Sequence, residues 1–531
     1  MHGLRNIGFV ALLVTSPVLA QVPPADIPPL PKATGTATPL LAAWTQFVNA
    51  PDGETSAAKI IQARFVMLGS EADCDTVLVE GQDPASSNVT AKMRGHLQGI
   101  DPATDKSFTI TVCTADLPET WAQVYLKTKG NELLTVYPSG ERAVLPGPAA
   151  MSGLSLSGIV MADTGCRGKS GVSGSRFYQD CETGWPFPQI ILDAANDEPQ
   201  FVLHGGDYHY FFEDESAFWD RDNGRDRFEY WLQEFLVPAQ PLLMKVPWIL
   251  GRGNHERCRD QRWFGEGWHV LFSNMSLEGV DKTGNTVALR PCYDADPTGN
   301  NWIAPSWAVD FVSGPVPATP PWRFVVIDSS QPLDTAPGFD KAATLTRAHG
   351  RDTFWLTHYP AVKMVYYSPT PDFGDGHIKL DAANATDCDA PYACRPRAMF
   401  TGHQHLYQEI TWADPNTAAM LPRIVIVGNG GTKIDSNGLP GYAKGANAKT
   451  SLSCTQTFPD TLPGQDKSPF GFGANRKALI RTASQAGYMH IERDMKAPDN
   501  LGWVVTPKWI GNAPTFPDAA PVHCDGTPIK N

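Results

Sequence analysis

Seven short apolar runs mark the middle of the chain: SGIVMAD, PQFVLHGGD, VPWILGRGN, RFVVIDSS, DTFWLTHYP, RAMFTGHQH and RIVIVGNGG, each running into polar residues or glycine. Several are apolar at successive rather than alternate positions, the pattern of strands covered on both faces. Between two of them, RDRFEYWLQEFL sets Phe228, Trp231, Leu232, Phe235 and Leu236 at helical spacing. This predicts a covering helix whose stripe is core. Strands alternating with helices or long loops predict an α/β domain over 151–531, with surface excursions at Leu277 to Asn301 and Pro369 to Arg395. Upstream, ARFVML, TVLVEG, SFTITVC, WAQVYLK and LLTVYP are separated by Gly, Pro, Asn and Asp. They predict a small all-β domain over 56–150, bounded by LPGPAAMSG.

The first twenty residues combine Arg5, an apolar run from Ile7 to Leu19 and the small-residue pattern Val18-Leu19-Ala20. They predict a removable signal peptide over 1–20, the run being shorter than the roughly 20 residues of a membrane span. Pro23-Pro24, Pro28-Pro29, Pro31 and a Thr/Ala-rich run predict an extended lead-in over 21–55. No later stretch is long enough to cross a membrane. Export to a periplasm or the medium makes the ten cysteines read as disulfides. Cys166 with Cys181, Cys258 with Cys292 and Cys388 with Cys394 are sequence-local pairs; Cys74, Cys113, Cys454 and Cys524 are left open. There is no Cys-x-x-Cys to suggest a zinc cluster. The net charge of −13 argues against a nucleic-acid scaffold as partner, but not against a small phosphorylated substrate. Asn88, Asn274 and Asn384 begin Asn-x-Ser/Thr sites, which matter where the producing cell glycosylates its exports.

The candidate chemistry lies at the strand ends. Asp163 ends SGIVMAD, Asp207 ends FVLHGGD, Asn254 and His255 follow WILGRG, His358 ends FWLT, and His403 and His405 follow RAMFTG. In open α/β sheets ligands bind beyond the carboxyl ends of the strands, so these side chains are expected to converge as a metal constellation. Singly each has an ordinary reading, since an aspartate at a strand end is commonly a turn or cap residue. His96, His269, His349, His377, His490 and His523 stand outside the pattern and receive no role.

In order, Asp163-Thr164-Gly165, Gly206-Asp207 with Tyr210, Gly253-Asn254-His255-Glu256, His358 and Gly402-His403-Gln404-His405 resemble the five motifs of the calcineurin-like metallophosphoesterases, from about Gly158 to Gly431. Most of that superfamily has a ligating His two residues after the first Asp, where this chain has Gly165. Asp-x-Gly with Gly-Asp-x-x-Tyr is similar to the purple acid phosphatases, in which a tyrosinate binds ferric iron beside a divalent metal. Trp355 stands where that subfamily usually has Val, at a strand position.

The resemblance implies an α/β fold, a β-sandwich flanked by helices (αββα), behind the small all-β domain. That domain is similar in size to the fibronectin-like domain of plant purple acid phosphatases, with an adhesion or polymer-binding module as the other reading. The resemblance further implies a dinuclear centre: Asp163, Tyr210 and His405 around Fe(III), Asp207 bridging, and Asn254, His358 and His403 around Zn, Mn or Fe(II). Hard anionic oxygens suit the ferric ion. The implied activity is that of an exported acid phosphatase, hydrolysing phosphate monoesters by attack of a metal-bound hydroxide. Phosphodiesterase, nucleotidase or pyrophosphatase chemistry on the same centre is the alternative, and a catalytically degenerate binding protein a further one. His255, with Asn254, is implied to contact substrate phosphate or protonate the leaving oxygen. Glu256 is implied to orient a neighbouring His or ligand. His209 reads either as a group facing the cleft or as packing. Arg252, Arg257 and Arg167 flank the motifs and are candidates for gripping phosphate, each also reading as a salt-bridge residue. Oligomeric state is left open.

Overall fold

The computed structural model describes residues 30, 39–48, 60–69, 74–82, 88–101, 106–151, 157–167, 179–181, 184–210, 226–258, 265–280, 286–294, 302–311, 322–330, 336–347, 353–360, 396–414, 421–434, 451–458, 476–492, 504–514 and 516. The expected signal peptide, the Cys388–Cys394 pair, Asn384, His349, His377 and His523 lie outside them.

Two large mixed sheets share one core. In the first, Ser157–Met161, Phe201–His204, Trp248–Leu250 and Leu40–Val48 run parallel in that order. In the second, Trp322–Ile327, Thr353–Thr357, Ala398–Thr401 and Arg423–Val427 are likewise parallel neighbours. The two-residue side-chain period explains how each strand serves two cores. Val160, Phe201 and Leu203 join Phe324, Leu356 and Phe400 between the sheets. Ile159, Met161 and Val202 point the other way, against Ile190, Trp231 and Phe235 of the helical layer. On the far side of the second sheet, Phe339, Ala342 and Leu345 of helix Ala336–Arg347 cover Val325, Trp355 and Ile424. The parallel strands of the two sheets deliver their carboxyl ends to one rim.

The expected covering helix forms with an irregularity. Phe228–Trp231 is α-helical, Leu232–Leu236 is a π turn and Val237–Leu243 is α-helical again. Pro238 has no N–H to give the Glu234 carbonyl four residues before it, so the regular ladder is interrupted there. The Val237 N–H reaches back to the Leu232 carbonyl instead.

The N-terminal region differs from expectation. Leu40–Val48 falls within the stretch read as lead-in, yet it is a fully buried strand. It pairs with Ile60–Leu68 on one side and with Trp248–Leu250 on the other. Its proline-rich neighbourhood disguises a nine-residue run, LLAAWTQFV, whose one buried amide is satisfied: Gln46 donates to the Phe272 carbonyl at 2.8 Å and accepts from Trp44 Nε1 at 3.0 Å. Ile60–Leu68, Lys106–Asp116 and Lys92–Asp101 then extend the same sheet. The stretch expected as a separate β-domain is therefore hydrogen-bonded through to the strands that carry Asp163 and Asp207. Val77–Gly81, Val89–Thr90, Gln123–Thr128 and Val144–Pro146 form a smaller sheet of their own.

Cys166–Cys181 and Cys258–Cys292 are disulfides, as their spacing suggests, and Cys74 pairs with Cys113. Cys454 is also disulfide-bonded. Among the described residues no helix is long and apolar enough to cross a membrane. These features are compatible with an exported protein.

Candidate metal centre

The rim is built on strained backbone. Asp163, Asp207 and His403 have φ of 55°, 58° and 70°, a region that side-chain-bearing residues occupy at a cost of order 1–3 kcal/mol each. Surrounding contacts enforce it. The Asp163 N–H donates to the Gly206 carbonyl at 2.9 Å, the Thr164 N–H to the Asp207 carbonyl at 3.0 Å, and the His403 N–H to Asp163 Oδ2 at 2.8 Å. Gly206, at φ 101°, lets the second loop turn. Gly402 and Gly253 answer a different need, since a Cβ there would lie 2.4 Å from Asp163 Oδ2 and 2.1 Å from Asp207 Oδ1.

The expected ligands come together in two groups. In the first, Tyr210 Oη lies 2.9 Å from Asp163 Oδ1, 2.8 Å from Asp207 Oδ2 and 3.0 Å from His405 Nε2. In the second, Asn254 Oδ1 lies 2.8 Å from both His358 Nε2 and His403 Nδ1. Asp207 Oδ2 joins them, 2.8 Å from the tyrosine oxygen and 3.3 Å from His358 Nε2. Ligand atoms of Asp163, Asp207 and His358 all fall within 4.8 Å of one another.

These atoms suit a cation better than they suit each other. One phenolic proton on Tyr210 faces two carboxylate oxygens and can serve only one. His358 Nδ1 lies 3.0 Å from the Gly205 carbonyl, which can only accept, so Nδ1 carries the hydrogen. In a neutral ring that leaves a lone pair on Nε2 aimed at Asn254 Oδ1 and Asp207 Oδ2, both acceptors. Either a second proton or a metal must lie there. Burial works against charge on His358, yet the Asp207 carboxylate beside it lifts its pKa to about 9. Burial also raises Asp207, but the charges of His358 and His255 hold it well below the usual carboxylate range. Burial pushes Asp163 up to about 6, His358 pulling against it and Asp207 adding to the rise. Burial and the two carboxylates push the Tyr210 phenol well above its ordinary value. An oxygen-rich set beside an Asn and imidazoles is a donor set that fits a metal cation, with Asp163, Asp207 and His358 close enough to share one.

Asp163, Asp207, Tyr210 and His358 are buried, whereas Asn254, His255 and His403 are partly exposed. The centre therefore opens on that side. His255 lies across the Tyr210 ring, centroids 4.3 Å apart, with Nε2 at 4.0 Å from Asp207 Oδ2 and its backbone N–H on Asp207 Oδ1 at 2.9 Å. Tyr359 packs on the His403 ring at 4.2 Å.

Other candidates fall differently. The Glu256 carboxylate accepts backbone N–H groups, from Asp207 and Gly253 on Oε2 and from Tyr208 on Oε1, each at 2.9 Å. It fixes the backbone beneath Asp207 rather than orienting an imidazole. His209 is buried edge-on against Trp231, ring centroids 4.4 Å apart, which places it in the packing behind the loop. Burial depresses its pKa. Arg252 is a correction. Its side chain is fully buried and donates to the carbonyls of Glu256 and Trp302, each at 2.7 Å, and to Asp328 Oδ2 at 3.1 Å. A guanidinium committed in this way braces the loop and does not grip phosphate. Arg257 and Arg167 are partly exposed. His96, His269 and His490 serve structure, against Thr111 Oγ1, the Trp302 carbonyl and Ser157 Oγ.

Two contributors escape the strand-end pattern. Ser329 Oγ accepts the N–H groups of His358 and Tyr359 at 3.0 and 3.1 Å and lies 2.8 Å from Thr357 Oγ1, anchoring the turn that carries His358. Glu234, in the π turn, accepts N–H groups from Cys166 and Tyr210. No local signal in the sequence marks Glu234, which follows Gln233 in a helix otherwise read as core.

Residues 159–407 match the calcineurin-like phosphoesterase family. The matched stretch contains every residue of both groups. Mixed sheets with few helices fit that fold, and the match supports the metallophosphoesterase superfamily and a metal-dependent phosphoric ester hydrolase acting on small phosphorylated substrates. No curated protein matches the chain.

Proposed function

We propose that the chain is an exported phosphatase of the purple acid phosphatase kind, hydrolysing phosphate monoesters at a dinuclear centre. Asp163, Tyr210 and His405 would hold Fe(III), and Asn254, His358 and His403 would hold Zn, Mn or Fe(II), with Asp207 shared. The observation that carries this reading is the place of Asp207 Oδ2, between the tyrosine group and the imidazole group. When bound, such a metal pair supplies an activated water and holds the attacking and leaving oxygens of an in-line displacement.

This chain's own residues would do the rest. Asn254 and His403 form the accessible edge of the centre, where substrate oxygens arrive. His255, partly exposed over Tyr210, can hold a proton on Nε2 for the leaving oxygen. Glu256 and Ser329 keep the backbones of Asp207 and His358 in place, so that little reorganisation accompanies binding.

The test is a panel of phosphomonoesters, diesters and pyrophosphates, with wild type and His403→Ala. Monoester turnover that collapses in the variant supports the reading. Equal turnover by both overturns the two-metal mechanism, turnover confined to diesters or pyrophosphates moves the substrate class, and no turnover by wild type favours a binding protein.

A further inference from the structure

The loop Asp207–Tyr210 is held by two buried carboxylates that divide its backbone between them. The N–H groups of Asp207 and Tyr208 end on Glu256. That of Tyr210 ends on Glu234 Oε2 at 2.9 Å, and the same oxygen accepts the Cys166 N–H at 2.8 Å. Glu234 thus ties the loop carrying Asp163 to the loop carrying Tyr210, while Glu256 ties the latter to the loop carrying Asn254. Glu234 is inaccessible to solvent and sits in the π turn just before Pro238. A widened turn is an energetic weakness in a helix and recurs where a helix serves a site. An apolar residue would pack in this layer without cost, whereas a carboxylate must be desolvated.

From this geometry we propose that Glu234 is the positioning residue for Tyr210, setting the reach of the phenol oxygen toward Asp163, Asp207 and His405 and thereby the iron side of the centre alone. The inference rests on the reading of Tyr210 as a metal ligand. One oxygen receiving two N–H groups fixes the Tyr210 Cα against the first loop, and the ring then has little freedom, being covered by His255. Asn254, His358 and His403 receive no hydrogen bond from Glu234 among the described contacts, so the second group should not depend on it.

The experiment compares wild type, Glu234→Ala, Glu234→Gln and Tyr210→Phe in iron content per chain, zinc content, the visible tyrosinate-to-iron band, and kcat and KM. Glu234→Ala is expected to lose iron and the band as Tyr210→Phe does, to keep zinc, and to lose kcat on the order of 100-fold with KM little changed. Glu234→Gln should recover iron and band, because an amide oxygen can accept both N–H groups. Wild-type iron content and band in Glu234→Ala overturn the proposal, as does Glu234→Gln behaving like Glu234→Ala. Should the alanine variant not fold, Glu234→Asp, with the acceptor withdrawn by one methylene, is judged by the same criteria. A colourless iron-loaded wild type would instead refute the ferric-tyrosinate reading. Metal content of Glu234→Ala against wild type would then still decide the positioning role, equal content overturning it.

Discussion

Adding a single methyl group at Gly165 tests how closely that position is packed against the loop carrying Tyr210. A Cβ at that position would lie 2.3 Å from His209 Cα, 2.7 Å from His209 N and 2.7 Å from the Tyr208 carbonyl oxygen. Ordinary contact begins near 3.4 Å, so the backbone of the Tyr210 loop would have to retreat by about 1 Å. Neither neighbour is a flexible side-chain tip. The loop is tied by Glu256 on one side and Glu234 on the other. Overpacking of this kind costs about 1–3 kcal/mol, and misplacing a reacting group by 1 Å costs about 100-fold in rate. Gly165→Ala is therefore expected to unfold at lower temperature by scanning calorimetry and to lose about two orders of magnitude in phosphomonoester turnover. Gly165→His, which restores the residue type common in the wider superfamily, should do worse, because the space for an imidazole is already backbone. Wild-type melting and turnover in Gly165→Ala would refute the reasoning.

Two further outcomes follow from the charges around the site. Arg252→Met leaves Asp328 buried without its cation and should destabilise the protein by about 3–5 kcal/mol in urea unfolding with KM unchanged; a raised KM at wild-type stability would return Arg252 to the substrate. Metal uptake should release protons, since between about 6, where Asp163 titrates, and about 9, where His358 does, Asp163 is ionised while His358 still carries its extra proton. A raised His358 pKa favours the proton below 9, so apparent metal affinity should climb with pH across that range. Calorimetric titration in buffers of different ionisation heat should count the released protons. Wild type should lose one more than Tyr210→Phe where the phenol ionises onto iron, and no release from wild type would contradict the assignment of His358.

The residues at strand ends were legible because chemistry there interrupts the apolar pattern: Asp163, Asp207, His358 and His403 all close runs that are otherwise buried. Tyr210 stands out in the sequence only beside Gly165; the structure brings its oxygen within 3.0 Å of Asp163, Asp207 and His405. The supports were not. Glu234 occupies a helix whose apolar stripe accounts for its neighbours, and nothing local distinguishes a buried glutamate from a solvated one. Arg252 beside a motif invites an electrostatic reading, but its partner Asp328 is 76 positions away in sequence. Leu40–Val48 was missed for a similar reason, since its neighbours in the sheet include a strand 200 residues on and its own flanks are rich in proline.

That interior strand bears on how the chain can be divided. Were residues before 56 removed, the row of backbone N–H and C=O groups that Trp248–Leu250 now offers to Leu40–Val48 would become an open edge, directly behind the loop bearing Asn254. The sheet that carries the motifs thus includes a strand from well before them. Leu40–Val48 and the strands that carry the motifs must meet across a long span of chain, so completing that sheet calls on a segment that carries none of the candidate chemistry.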